Sequence, residues 1–493
     1  MPYQHGVRVV EQPTGVAAPI TGTAGLQVIF GTAPVNLATD PTAVTNKPVI
    51  AYSWDEAVSQ LGYSDDWDSY TLCQSMYACF KLFGVAPVIF VNVLDPTTHK
   101  TAVSTPAAVT ISSKQGVISA SDAPVKGILL SSVKVKAAAD SETDLILGTD
   151  YTLEFSDAGD TVITVLAGGS AASATSVYVT YDKLDPSAVS ASTVIGSTSA
   201  GGAETGLEVL RQIYPRFGMT PGLILAPGWS QIADVALVLQ AKCEEINGHF
   251  QCETFLDINS ASAGCTVYTN VKTAKDGAGI ASPHAQAIWP CVKAGSKVLW
   301  ASAVWGALTA YTDAQNDDVP NLSPSNKSLP ITGTCLRDGT EVLLDQVQAN
   351  AINAAGVCTA INMNGWRSWG NNSAAYPATT DPKDRWFCCR RFFSWWGNSF
   401  ILTYAQKVDD PANPRLVESV VDTENIRGQA YVQAGKCAAI RVEYNEAENT
   451  VTDILNGKVT FHLHLAPYTP AEDILGILEF DPDALQAALN GGE

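Results

Sequence analysis

The chain has 493 residues, 46% of them hydrophobic and 16% charged, with 29 basic against 49 acidic side chains and a formal net charge of −20. That apolar content offsets chain entropy and excludes a disordered protein, and the length suggests about three domains. The negative charge repels phosphate backbones and anionic lipid, so nucleic acid and membrane insertion are disfavoured.

The N-terminus, Met1 to Gly6, has neither a basic nor an apolar leader region, so no signal peptide is expected. The longest apolar run, Trp300–Tyr311, is too short to span a bilayer and reads as a buried helix. Eleven cysteines without a C-x-x-C spacing read as reduced core thiols.

Residues 1–20 form an arm. Val7 and Val9 alternate with polar neighbours, which fits a short strand, and Pro13, Gly15 and Pro19 then break it. From residue 26 the pattern is α/β. Leu26–Phe30 is a short apolar strand. Ser53 with Glu56 is a helix-opening capping box closed by Gly62. A second helix covers 71–83, and Val88–Leu94 is a continuously apolar strand of the kind covered on both faces. After Asp95-Pro96 the composition changes to Ser, Thr, Ala and Val, with short alternating runs at 133–135, 151–155, 162–165 and 177–181. That predicts an inserted small β-sandwich. Strands at 223–226 and 255–258, a helix with apolar residues from Ile232 to Ile246, a helix at 341–354 and a strand at 357–363 restore the α/β pattern. A helix from about Asp384 to Leu402 carries Arg385, Arg390 and Arg391. Val459, Phe461, Leu463 and Leu465 alternate with Thr460, His462 and His464, and Ile477–Phe480 reads as a second short strand.

The expected architecture is therefore α+β multidomain. It has an arm at 1–20, a discontinuous α/β core of 21–96 plus 191–360, an all-β Ig-like sandwich at 97–190, and a C-terminal α+β domain at 361–493.

Catalytic signatures are sparse. There is no P-loop, H-E-x-x-H or G-x-S-x-G, and Gly277-Ala278-Gly279 reads as a loop. Asp257, at the end of an apolar strand, with His284 downstream, is the one pairing that suits an α/β hydrolase-like or oxidoreductase enzyme with an accessory β-sandwich. The competing reading is a capping carboxylate. His462 and His464 share a strand face but lack a third ligand, so no metal is expected. The three arginines suit either ordinary ion pairs or docking against an acidic partner.

Several segments together resemble the contractile phage tail sheath protein family, which includes the sheaths of phage-tail-like bacteriocins and contractile injection systems. They are His5-Gly6-Val7, Phe30-Gly31-Thr32-Ala33-Pro34, Val91 to Pro96, Thr205-Gly206-Leu207, Phe217 to Gly222 running into Ala226 to Ser230, Asn353 to Val357, Trp366 to Trp369, and Asp384-Arg385-Trp386 leading to Arg390-Arg391. The resemblance implies a structural subunit without catalytic residues, cofactor or metal. It implies stacked hexameric rings around an inner tail tube, and contraction that drives the tube through a cell envelope. Partners would be other copies of the chain, the inner tube protein, and baseplate and tail terminator proteins. The location would be a virion tail or tail-like particle assembled in the bacterial host cytoplasm. Terminal arms would exchange strands between subunits by β-augmentation. The donors would be Val7 and Val9 at one end and, at the other, either Val459, Phe461, Leu463 and Leu465 or Ile477 and Phe480. Arg385, Arg390 and Arg391 would face the tube.

Overall fold

A computed structural model describes residues 23–491. Val7 and Val9 lie outside the described residues.

Three strands open the core: β1 (Gln27–Gly31), β2 (Pro48–Ala51) and β3 (Val88–Asn92). Every residue of β1 and β3 is buried, as the apolar runs Val28–Phe30 and Val88–Val91 demand of a sheet covered on both faces. Between them, Ser53 Oγ accepts from the Glu56 amide at 3.2 Å and opens the helix Trp54–Leu61. Gly62 closes it at φ 74°, where a Cβ would run into the Pro34 carbonyl. The expected 71–83 helix is α-helical over Thr71–Met76 and π-helical over Tyr77–Phe83.

The chain then leaves the core for eight strands: β4 (Lys100–Thr110), β5 (Gln115–Val117), β6 (Ser119–Ala120), β7 (Ala123–Pro124), β8 (Lys134–Lys136), β9 (Tyr151–Phe155), β10 (Thr161–Val165) and β11 (Ser176–Leu184). They build two three-stranded sheets, ordered β5-β10-β9 and β4-β11-β8, and a small β6-β7 hairpin. Alternate residues of β10 and β11 turn inward, and Val109, Ile118, Val135, Tyr151, Ile163, Val177 and Val179 form a core separate from the main one. Entry and exit lie side by side: Lys100 pairs with Leu184, and the Asp185 amide donates to the His99 carbonyl at 2.9 Å.

Back in the core come β12 (Leu223–Leu225), β13 (Glu253–Asp257), β14 (Ala285–Ile288), a small sheet of β15 (Cys291–Ala294), β16 (Lys297–Leu299) and β17 (Gly333–Cys335), and then β18 (Val357–Asn362) and β19 (Trp366–Trp369). The main sheet runs β19-β18-β14-β13-β12-β1-β3-β2, parallel except for its two edge strands. The helix Ala301–Ala314 packs on it and is buried almost all round, as its composition predicts. Two helices depart from expectation. The 341–354 helix begins only at Gln346, because Glu341 bridges to Cys335 and Asp345 supplies the cap, accepting from the Gln348 amide at 2.8 Å. The arginine helix is broken in two, Pro382–Arg385 and Phe387–Tyr404, because Trp386 is extended and bridges to Asn372.

The C-terminal part adds the helix Pro414–Gln433, capped by Asn413, and an antiparallel ladder of β20 (Cys437–Tyr444) and β21 (Phe461–Pro467). Gly428 lets that helix approach β20, since a Cβ there would sit 2.8 Å from Ile440 Cβ. The strand expected at Ile477–Phe480 does not form: residues 468–481 have no strand partner among the described residues, and a lone segment cannot satisfy its own ladder. All eleven cysteines are free and buried. Among the described residues no helix is long and apolar enough to cross a membrane.

Candidate assembly interface

In open α/β sheets ligands occupy the crevice at the carboxyl ends of the strands where strand order reverses. Here that place lies between β1 and β12, and the protein fills it. The Thr71 amide donates to Thr32 Oγ1 at 3.0 Å and the Leu72 amide to the Thr32 carbonyl at 2.9 Å, so the N-terminal donors of that helix are already used. Trp229 Nε1 closes over them onto Thr71 Oγ1 at 3.1 Å. Gly31 and Gly228 make room, since a Cβ at either would collide with Thr71.

The enzyme pairing fails on the same grounds. Asp257 is buried and accepts from Ser230 Oγ at 2.8 Å, the Ser302 amide at 2.9 Å and Ser302 Oγ at 2.5 Å. Burial pushes its carboxyl up, against the pull of those hydrogen bonds. Ile288 pairs with Asp257 and Ala285 with Thr254, so His284 sits at the opposite end of the neighbouring strand, roughly 13 Å away by strand rise. There it is buried against the Cys252 carbonyl (3.2 Å) and Glu253 (3.6 Å). Asp257 ties strand to helix, and no Asp–His constellation forms.

The arginine cluster is also internal. Arg391 is 2% exposed and bonds Asp313 and the Ala24 carbonyl. Arg390 pairs with Asp384 at 3.3 Å. Arg385 reaches Asn372 at 3.0 Å and Glu472 at 3.1 Å, with its guanidinium between the rings of Trp386 and Tyr376. These cations help close the fold, and in this acidic chain each has a carboxylate within reach.

The β20–β21 ladder has an inner and an outer face. Ile440, Leu463 and Leu465 turn inward onto Phe392, Trp395 and Trp396. His462 and His464 turn outward and contact Glu448 and Glu443 on the solvent-facing side. Asn425 bonds both the amide and the carbonyl of Val442, at 2.9 Å each. Main-chain groups in an antiparallel strand point alternately toward and away from the partner. Val442 therefore points away from β21, and its opposite number Leu463 points away from β20. By the same alternation Phe461, Leu463 and Leu465 present their N–H and C=O groups along the outer edge of β21. The three residues expected as donors are thus committed to a strand of their own chain, and Val459 lies just ahead of it.

Beyond β21 the chain runs to Tyr468, whose carbonyl lies 3.9 Å from Cys389 Sγ, and to Glu472, held by Arg385 and by Asn371 at 3.4 Å. After this point Ile474, Leu475, Ile477, Leu478 and Phe480 are all exposed, Leu478 to 99%. The tail from Tyr468 to Gly491 holds Glu472, Asp473, Glu479, Asp481 and Asp483 and no basic residue. Five large apolar side chains in water on an unpaired segment cost free energy unless a partner covers them. Sequence reading assigned nothing between Leu402 and Val459, and so missed β20 and Asn425. The alternation of Ala438, Ile440, Val442 and Tyr444 marked the strand, whereas nothing in the helix sequence marked Asn425.

No family model matches the chain. Among curated proteins it is 25% identical to the tail sheath protein of Burkholderia phage BcepMu over 500 aligned positions, covering 99% of each chain. It is 26% identical to the major tail sheath protein of Serratia phage KSP20 over 302 positions, 60% of this chain and 72% of the relative. In fold it is similar to the contracted sheath of the extracellular contractile injection system PVC, with TM-score 0.58 and 15% identity over 99% of each chain. It is likewise similar to the contracted helical sheath of the anti-feeding prophage, with TM-score 0.55 and 14% identity over 98% of this chain and 100% of that one.

Proposed function

The chain is a structural subunit of the contractile tail sheath family, and we propose that it polymerises by handing its terminal arms to neighbouring copies of itself. The observation that carries the reading is the relationship to a phage tail sheath protein along 99% of both chains. The relatives are structural proteins, and the chain is not an enzyme. It assembles with itself, associates with a baseplate, and belongs to the tail of a virion or tail-like particle.

In the finer reading the outer edge of β21 accepts an arm from another subunit. Main-chain hydrogen bonds supply the hold, and alternating side chains set register. The exposed segment around Ile477 and Phe480 is one donor, and the 1–20 arm with Val7 and Val9 is the other. Because donor and acceptor are different surfaces, the contact is head-to-tail and generates rings and helices rather than a closed dimer. Subunits stack as hexameric rings around an inner tail tube, and a terminator protein caps the tail. Contraction releases free energy held behind a kinetic barrier in the subunit contacts. The insert at 97–190, read as an Ig-like sandwich, hangs on two adjacent strands and decorates the outside. Assembly takes place in the host cytoplasm.

Negative-stain electron microscopy of the chain alone, and then with a candidate tube protein, tests this. Hollow tubes or stacked rings are expected, and persistent monomers in both would overturn it.

A further inference from the structure

The tail does not leave the protein where β21 ends. It first crosses to the α/β core, and Glu472 is fastened there. Arg385 Nη2 donates to Glu472 at 3.1 Å and Asn371 Nδ2 at 3.4 Å. Arg385 is itself aimed: Asn372 holds its Nε at 3.0 Å, and Trp386 and Tyr376 flank it at 4.0 and 4.8 Å from the ring centroids. A polar cavity of about 450 Å³ surrounds the contact, lined by asparagines 326, 350, 353, 371 and 372, so the carboxylate is gripped at a wet surface rather than locked in a dry one. Gly476, four residues on, has open space around its Cα.

We infer that Arg385 and Glu472 form a releasable clasp that sets the reach of the C-terminal arm. This rests on the strand-exchange reading above. With the clasp shut, the arm starts at Asp473. With it open, the arm starts at Tyr468, and residues 468–473 add slack of up to roughly 20 Å at about 3.3 Å per residue. A lattice whose subunit spacing changes while its arms stay paired needs such slack, and a half-exposed ion pair is weak enough to open on demand. Arg385 and Glu472 are positioning residues: they govern how far the arm extends.

The test uses the full-length chain and a glutamate-specific protease. Arg385→Gln should speed cleavage after Glu472 about two- to five-fold, the range an exposed ion pair spans, and leave cleavage after Glu479 unchanged as an internal control. Glu472→Arg alone should raise the fraction of assembled sheaths found contracted, and Arg385→Glu with Glu472→Arg should return it toward wild type. Unchanged cleavage after Glu472, or contracted fractions alike in all three proteins, overturns the clasp. A chain truncated after Asp473 separates the two ideas. If it polymerises like the full chain, strand exchange by this arm is wrong; if it fails to polymerise while the Arg385 and Glu472 variants behave as wild type, only the clasp is wrong.

Discussion

Asn425 holds Val442 at both main-chain groups, its Oδ1 accepting from the amide and its Nδ2 donating to the carbonyl, at 2.9 Å each. One side chain thereby seals the outer edge of β20 as a neighbouring strand would. An open edge invites indiscriminate pairing, so sealing one edge of a two-stranded ladder leaves the other as the place where an incoming strand adds. Asn425→Leu removes both partners and leaves two half-buried polar groups unmet. We expect a loss of about 1–3 kcal/mol, read as a lowered urea midpoint, together with new aggregation through β20. A variant as stable and as dispersed as wild type would refute the sealing role.

If the tail is a donated arm, its residues contribute to assembly and little to folding. Ile477 and Phe480 are 76% and 78% exposed. Replacing both with Asp should leave the unfolding midpoint of the monomer within about 0.5 kcal/mol of wild type. The same variant should fail to form long sheaths by electron microscopy. Sheaths of normal length would exclude this segment as a donor.

Alkaline pH should weaken the fold. Burial pushes the Cys73, Cys79 and Cys291 thiols up to about 12. Below about pH 8.5 both folded and unfolded chains keep these protons, so the contribution to stability is complete. Above it only the unfolded chain releases them, the folded state binds more protons, and stability falls as pH rises toward the folded values. The cost is about 1 kcal/mol per thiol between roughly pH 8.5 and 9.5. Urea midpoints in reducing buffer across that range should decline, and Cys73→Ala should make the decline shallower. A flat profile would contradict the burial of the thiols.

Arg391 and Asp313 are both essentially removed from water, and they join the Phe387–Tyr404 helix to the Ala301–Ala314 helix and to the Ala24 carbonyl. Breaking the pair leaves a buried charge alone. Arg391→Met should cost about 3–5 kcal/mol, whereas Arg391→Met with Asp313→Leu should recover most of that. A double variant no better than the single one would show that the pair is not the source of the cost.

The sequence by itself determined the elements whose pattern is local. Val88–Val91 is apolar at every position, which only a sheet covered on both faces accommodates, and Ser53 with Glu56 sits where a helix must open. The alternating runs between residues 133 and 181 announced paired strands with an inside and an outside. The family resemblance also lay in the chain's own residues. What only the tertiary structure decided was where charges and edges finish. Arg385, Arg390 and Arg391 look alike in sequence, yet one is a surface clasp and another an interior ion pair, because the break at Trp386 reorients the helix start against Asn372. Asp257 and His284 lie on neighbouring strands, yet strand register puts them at opposite ends. Phe461, Leu463 and Leu465 read as a donated strand, and they pair at home because β20, Cys437–Tyr444, whose paired residues lie 17 to 25 positions earlier, reaches them first. Alternation records that a residue is in a strand and which way it faces. Its partner is set by distant segments whose hydrogen bonds leave no mark on local pattern.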